Sequence, residues 1–227
     1  MRGMKLLVLW DVDHTLIETR GVGRELYHEA FEQATGVPLN RTASVSGSTE
    51  FRIFSETAAS HGLLATSESA ATYAMALAAL HADRYAELQE RGRALPGARV
   101  AVLSLAAKGY VQTVVTGNLR AVAITKLKAF GLDNLLDLEV GAFAEDGEDR
   151  EELVRVAMRR AAADRAVLIG DTPSDVAAAK ANGVPVIGVA SGRSSVEELG
   201  AAGADVCLRD LTNLDEVVSA VVRLTTA

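Results

Sequence analysis

The sequence predicts a doubly wound α/β domain built on a parallel sheet, with an all-helical domain inserted in it. Three features carry that prediction. A short apolar run, Leu6–Trp10, ends abruptly in two carboxylates, Asp11 and Asp13. The chain from Leu16 to Ala94 then reads almost entirely as helix. From Leu95-Pro96-Gly97 onward, strand-like and helix-like runs alternate, the pattern of βα units wrapped around a parallel sheet. Residues 1–16 and 95–227 are therefore expected to form the α/β core and residues 17–94 a helical cap.

Each element has its own signal. The run Leu6–Trp10 is uninterrupted and apolar, as a buried strand is. Residues 24–35 place Leu26, Tyr27, Ala30, Phe31 and Ala34 at helical spacing, and Gly36 and Pro38 stop them. Residues 49–59 gather Phe51, Phe54 and Ala58 on one side. Ser67 opens one long helix, with Glu68 in its first turn, that runs through Leu77, Leu80, Tyr85 and Leu88 to Arg91-Gly92-Arg93. Beyond Pro96-Gly97 helices are expected over 98–108, 118–130, 149–163, 173–181, 194–201 and 213–224. Strands are expected over 110–116, 136–140, 166–170, 184–189 and near 205–208, with Pro185 marking an early or edge position in its strand. Gly21, Gly23 and Pro96-Gly97 flank the insertion and read equally as hinges or as loop breakers.

Composition narrows the function. A chain of 227 residues suits one large domain or a domain with an insertion and can bury a sizeable core. With 49% hydrophobic and 23% charged residues it belongs to the folded, soluble class. The net charge of -7 argues against a nucleic-acid surface, and it leaves any anionic substrate to local cations or a metal. Cys207 is the only cysteine, so neither an intramolecular disulfide nor a thiolate cluster can form within the chain. The first apolar run is too short for a signal-peptide core, and no segment reaches membrane-spanning length. A cytoplasmic protein with no membrane partner is expected, and its oligomeric state is left open.

The polar groups converge on one sheet edge. Asp11, Asp13 and Thr15 follow the first strand; alone, these acids would serve equally as turn and cap residues. Thr116, Gly117 and Asn118 follow the second strand, and Asp171 and Asp175 a later one. In a parallel sheet these junctions share the carboxyl edge, where open α/β sheets bind ligands. Carboxylates that meet there raise one another's pKa. A hard divalent cation, Mg²⁺, relieves this and can bring a phosphate to an acidic site. Thr116 and nearby N–H groups could then bond phosphate oxygens at a helix N-terminus. A carboxylate between metal and phosphate suggests covalent catalysis, and one two residues on suits proton transfer.

The motifs D-V-D-H-T (11–15), V-V-T-G-N (114–118) and G-D-T-P-S-D (170–175) stand in this order across the chain. With them the chain resembles the haloacid dehalogenase-superfamily phosphatases, in the phosphoglycolate-phosphatase-like branch whose Rossmann-like core carries a helical cap. That resemblance implies a Mg²⁺-dependent phosphatase of small phosphomonoesters, phosphoglycolate-like or sugar phosphates, with an aspartyl-phosphate intermediate. It implies Asp11 as nucleophile and Asp13 as general acid/base. Asp11, the Asp13 carbonyl and Asp171 would hold Mg²⁺, supported by Asp175. Thr116 would bind the phosphate, with Thr15, Gly117 and Asn118 beside it.

One family feature is missing: no Lys-Pro precedes the last motif. Arg150, at the junction before the strand at 166–170, is the preferred cation, since its forked donors suit phosphate. Lys126 is the alternative, or else a solvated residue on its helix. His14, where the family often has glycine, and Trp10 read as packing. The segment from Ser46 to Glu50 either faces substrate or simply caps a helix, and Arg24 is a further candidate substrate contact.

Other readings fit less well. The four histidines show no metal-ligand spacing, and Ser191, Ser194 and Ser195 lie outside any G-x-S-x-G. A dinucleotide enzyme needs glycines where Asp11 and Asp13 stand. A true dehalogenase lacks the second acid, and a receiver-like signalling module would be shorter. A phosphomutase of the same superfamily shares the first chemical step and remains the main alternative.

Overall fold

A computed structural model describes residues 4–41 and 47–226. The chain opens with β1 (Leu6–Trp10), turns through the two-residue β2 (Ile17–Glu18), and enters four helices. These are α1 (Val22–Thr35), α2 (Glu50–Ser60), α3 (Ser67–Asp83) and α4 (Tyr85–Arg91). The chain returns by β3 (Arg93–Ala94) to α5 (Ala98–Ala107), β4 (Val111–Val114) and α6 (Arg120–Ala129). Then come α7 (Arg150–Ala161), β5 (Arg165–Gly170), α8 (Pro173–Ala181), β6 (Val186–Val189), α9 (Val196–Ala201), β7 (Val206–Leu208) and α10 (Leu214–Thr226).

The main sheet has the order β4-β1-β5-β6-β7, and every pairing in it is parallel. Alternation along β1 sends Leu7 and Leu9 to one face and Val8 and Trp10 to the other. Leu7 and Leu9 pack with Leu153, Val154, Val176 and Leu199 of α7, α8 and α9. Val8 and Trp10 pack with Val102, Leu127, Val217 and Val221 of α5, α6 and α10. Helices thus cover both faces, as a doubly wound sheet requires. Trp10 is fully buried and donates its Nε1 hydrogen to Gln112 Oε1 at 3.1 Å, a packing role.

The four-helix insert has its own apolar centre. Phe31, Phe54, Tyr73, Leu77 and Leu88 meet there, with Phe54 stacked on Tyr73 at 4.6 Å. Val122 and Ala129 of α6 complete this cluster, which seats the insert on the core. Among the described residues, no helix is long and apolar enough to cross a membrane.

Four local expectations need correction. The insertion is not wholly helical, because β2 and β3 pair antiparallel, Ile17 with Ala94 and Glu18 with Arg93. The helix expected over 67–91 is two helices, parted at Arg84, whose Nη2 bonds Glu29 of α1 at 2.7 Å. Segment 136–140 is no strand. Leu138 N folds back on Leu136 O at 3.1 Å; the segment touches β4 at Asp137, whose N–H donates to Gln112 O at 2.8 Å and whose carbonyl accepts from Thr113 Oγ1 at 2.6 Å, and the bridge of Val115 to Ala142 lies beyond it. The run 184–189 pairs only from Val186 and lies between β5 and β7, not at an edge. Pro185 sits just outside it, where its missing N–H costs nothing and its carbonyl accepts from Leu168 N at 2.9 Å.

Candidate active site

The register of the central strands builds the site. Trp10 lies level with Val114 and with Ile169, so β1, β4 and β5 end together. Asp11 follows directly, its N–H donating to Ile169 O at 2.9 Å, and its side chain is buried. Asp171 stands just beyond the end of β5. Asp175 is in the first turn of α8, where a capping box fixes it. Its Oδ2 accepts from Thr172 N at 3.0 Å and from Thr172 Oγ1 at 2.6 Å. Pro173 follows the cap, a position that needs no N–H. Asp11, Asp171 and Asp175 thereby offer oxygens that all lie within 4.8 Å of one another.

Arg150 begins α7 and lays its guanidinium into this cluster. Nη1 donates to Asp11 Oδ1 at 2.9 Å and also to Asp175 Oδ1, while Nε donates to Gly47 O at 3.1 Å. One cation does not balance three acids. Burial pushes the Asp11 carboxyl up toward neutrality against the pull of Arg150, and Asp175 and Asp13 add to the rise. Burial, with Asp11 and Asp175, pushes Asp171 higher still. Three buried, all-oxygen donors with surplus negative charge are the donor set a hard divalent cation takes, so the residues fit Mg²⁺.

Asp13 turns the other way. Lys126 of α6 donates to its two oxygens at 2.8 and 3.1 Å, and Asn118 Nδ2 donates at 2.8 Å. Burial alone would raise this carboxyl; Lys126 and Asn118 overrule it and hold it below its usual range. Lys126 also donates to Asn118 Oδ1 at 2.6 Å, and Asn118 Nδ2 donates to Thr116 Oγ1 at 2.7 Å. The solvated alternative for Lys126 is therefore wrong, because the residue is 5% exposed. Arg150 and Lys126 pair with different acids.

The remaining candidates sort themselves by contact. Thr15 is fully buried and donates to Asp171 Oδ1 at 3.3 Å. Thr116 is buried beneath Gly117, whose carbonyl accepts from Glu50 N at 2.8 Å. A side chain at Gly117 would meet Ser48 O at 2.2 Å, so only glycine lets the insert rest this close. Thr49 Oγ1 donates to Glu148 O at 3.3 Å. Ser46 lies outside the described residues. Arg24 is exposed in the first turn of α1 and has no hydrogen bond or ion pair to the cluster among the described residues. His14 adopts φ 62, the left-handed conformation that favours glycine.

Sequence reasoning missed Gly192. A Cβ there would fall 1.8 Å from Asp171 Oδ2, and Asp171 is tied down by Thr15. Nothing in the local sequence signals this, because the two segments meet only in the fold. Gly192→Ala is expected to displace Asp171 and weaken divalent-cation binding by about tenfold or more, the scale of mutations around metal ligands. Calorimetric titration with Mg²⁺ checks it; unchanged affinity would refute the close-approach argument.

Comparison with known proteins agrees with this geometry. Residues 8–189 match the model of the haloacid dehalogenase-like hydrolases. The chain is 34% identical over 140 residues to a plasmid-encoded phosphoglycolate phosphatase of Cupriavidus necator, a match covering 60% of each protein. Over 219 residues it is 27% identical to a phosphoglycolate phosphatase of Rhodospirillum rubrum, covering 94% of this chain and 90% of that one. The chain spans about three fifths of the length of two of the curated relatives it matches. Among solved structures, a hydrolase from Pseudomonas syringae superposes with a TM-score of 0.70 at 23% identity, over 95% of this chain and 99% of the other. With the acids, the threonine and the cations gathered on a matching fold, the chain belongs to the haloacid dehalogenase-like hydrolase family.

Proposed function

We propose that the protein is a cytoplasmic, Mg²⁺-dependent phosphatase of a small phosphorylated metabolite. The observation that carries this reading is the split of four acids between two cations. Arg150 holds Asp11 beside Asp171 and Asp175, while Lys126 and Asn118 hold Asp13 apart from them. Asp11, Asp171, Asp175 and the Asp13 carbonyl would hold Mg²⁺, which when bound supplies the charge that lets a phosphate dianion approach these acids.

The chain's own groups account for the rest. An Asp11 oxygen attacks phosphorus and the P–O bond to the alcohol breaks; the leaving oxygen takes a proton from Asp13, which picks that proton up from solvent as the phosphate dianion binds beside it and raises its pKa. Asp13, now ionised, takes a proton from water; that water attacks phosphorus and releases phosphate and the Asp11 carboxylate. Lys126 and Asn118 favour the ionised Asp13 that the second half needs. Arg150, Thr116, Gly117 and Asn118 bind the phosphoryl oxygens, and Thr15 steadies Asp171. Residues 17–94 serve as the cap, which rests on Gly117 and Arg150 through the Gly47 and Glu50 backbone and keeps water out.

The test is phosphate release from a panel of small phosphomonoesters, with Mg²⁺ and with excess chelator. Equal rates in both would sink the mechanism, and an isomerised sugar phosphate without free phosphate would move the assignment to a mutase. Arg150→Ala is expected to lose about 10³-fold in kcat/KM, the scale for removing one preorganised charge from the reacting centre. Lys126→Ala, one residue removed from that centre, should lose clearly less. The reverse order, measured on one substrate, would exchange their roles.

A further inference from the structure

The buried ammonium of Lys126 does more than pair with Asp13. Besides both Asp13 oxygens it bonds Asn118 Oδ1, at 2.6 Å the shortest of its contacts. An ammonium only donates, so the Asn118 amide must turn its oxygen to Lys126 and its nitrogen the other way. Asp13 agrees with that orientation, since Asn118 Nδ2 donates to its Oδ2 at 2.8 Å. The other Nδ2 hydrogen then falls on Thr116 Oγ1 at 2.7 Å. With both Nδ2 hydrogens placed, the Asn118 side chain reaches a bound phosphate only through Thr116.

Thr116 receives more than it gives. A hydroxyl carries one hydrogen and two lone pairs. Asn118 Nδ2 takes one lone pair, and the backbone N–H of Asn118, at 3.3 Å, lies on the other. Among the described residues Thr116 Oγ1 donates to no acceptor, although the residue is 1% exposed. A buried hydroxyl of this kind is completed by an acceptor brought from outside. A phosphoryl oxygen bound at this edge of the sheet is one. With the Asn118 amide reversed, its oxygen would take that hydrogen instead, and Thr116 would have none to offer.

We propose that Lys126 and Asn118 are positioning residues that set the polarity of Thr116, keeping its hydroxyl hydrogen for the phosphoryl group. This rests on the phosphatase reading above, and the test separates the two. The opposing account makes Lys126 a counter-charge to Asp13 alone, and double-mutant cycles on phosphate affinity distinguish them. The full chain with Mg²⁺ is titrated calorimetrically with inorganic phosphate. Thr116→Val, which keeps the shape and loses the hydroxyl, is expected to raise Kd about tenfold or more, the scale of a hydrogen bond to a charged group. Thr116→Ser, which keeps the hydroxyl, should stay within about threefold of wild type. Asn118→Asp keeps the side-chain shape but puts an acceptor where Nδ2 donated. In that background Thr116→Val should cost less than about threefold, because the hydroxyl is already turned away from phosphate. Lys126→Met frees the amide and should shrink the Thr116→Val loss in the same direction. A change in phosphate affinity that comes from charge alone enters both legs of each cycle and cancels. A Thr116→Val loss of equal size in all three backgrounds overturns the inference, and so does a Thr116→Ser loss as large as that of Val. Coupling of Thr116 to Asn118 but not to Lys126 overturns the part given to Lys126. Each of these leaves the phosphatase standing, since release of phosphate from esters by the wild type is measured separately. A wild type that binds no phosphate and releases none from any ester removes the phosphatase reading itself.

Discussion

Asp11→Asn is expected to abolish phosphate release, lowering kcat by about four orders of magnitude or more, the scale seen when a nucleophile is removed. The amide is nearly isosteric, and Arg150 keeps its pairing with Asp175, so the site stays assembled. The same substitution should spare the fold. Asp11 is a buried carboxyl that its surroundings push upward, and a neutral amide removes that burden. At pH 8 in chelator the Asn variant should therefore melt no lower than wild type. Activity within tenfold of wild type would refute Asp11 as nucleophile, and a fall in melting temperature would refute the account of its electrostatics.

The second large effect is a coupling between pH and divalent cation. The folded-state pKa values of Asp11 and Asp171 are raised above the ordinary 3.8. Above that pH the folded protein binds more protons than the unfolded chain, so stability falls as pH rises toward those raised values. A cation that binds the deprotonated cluster competes with the protons, so its stabilisation grows with pH. At a hundredfold excess over Kd, Mg²⁺ should contribute about 2.7 kcal/mol, roughly 5–10 °C in Tm for a chain of this size. Thermal melts at pH 5.5 and pH 8, with and without Mg²⁺, check this. The gain must be larger at pH 8; an equal gain at both, or none at either, would remove the cation from the cluster.

Much of this was legible in the residues, for definite reasons. The central strand and its acids stand out because an apolar run ending in carboxylates has few other uses in a folded chain. The G-D-T-P-S-D stretch carries both a metal-type acid and a capping box, so local chemistry and site chemistry agree there. What stayed hidden depends on long-range packing. Lys126 looks like any helical lysine until the fold buries it and brings Asp13 to its ammonium. The break at Arg84 has no glycine or proline to announce it; its geometry is held by Glu29 on another helix. Segment 136–140 has the alternation of a strand, with Asp137 and Glu139 exposed, yet it forms none, and it meets β4 at Asp137 instead of along a ladder. Gly192 matters because of where Asp171 lies, and no sequence window contains both.

The β2–β3 ribbon has a further consequence. The insert leaves and re-enters the core through two strands that are hydrogen-bonded neighbours, reinforced by Arg93 on Glu18 at 3.0 Å and by Leu95 N on Leu16 O at 2.9 Å. Topologically the four helices are the loop of a hairpin whose stem is the base of the insert, next to the core. The ends of such a loop stay together whatever it contains, and closure entropy grows only slowly with its length. A differently shaped helical module spliced at Glu18 and Arg93 would keep its ends together in the same way, but would have to match Val122 and Ala129 of α6 and the close approach at Gly117 to seat on the core.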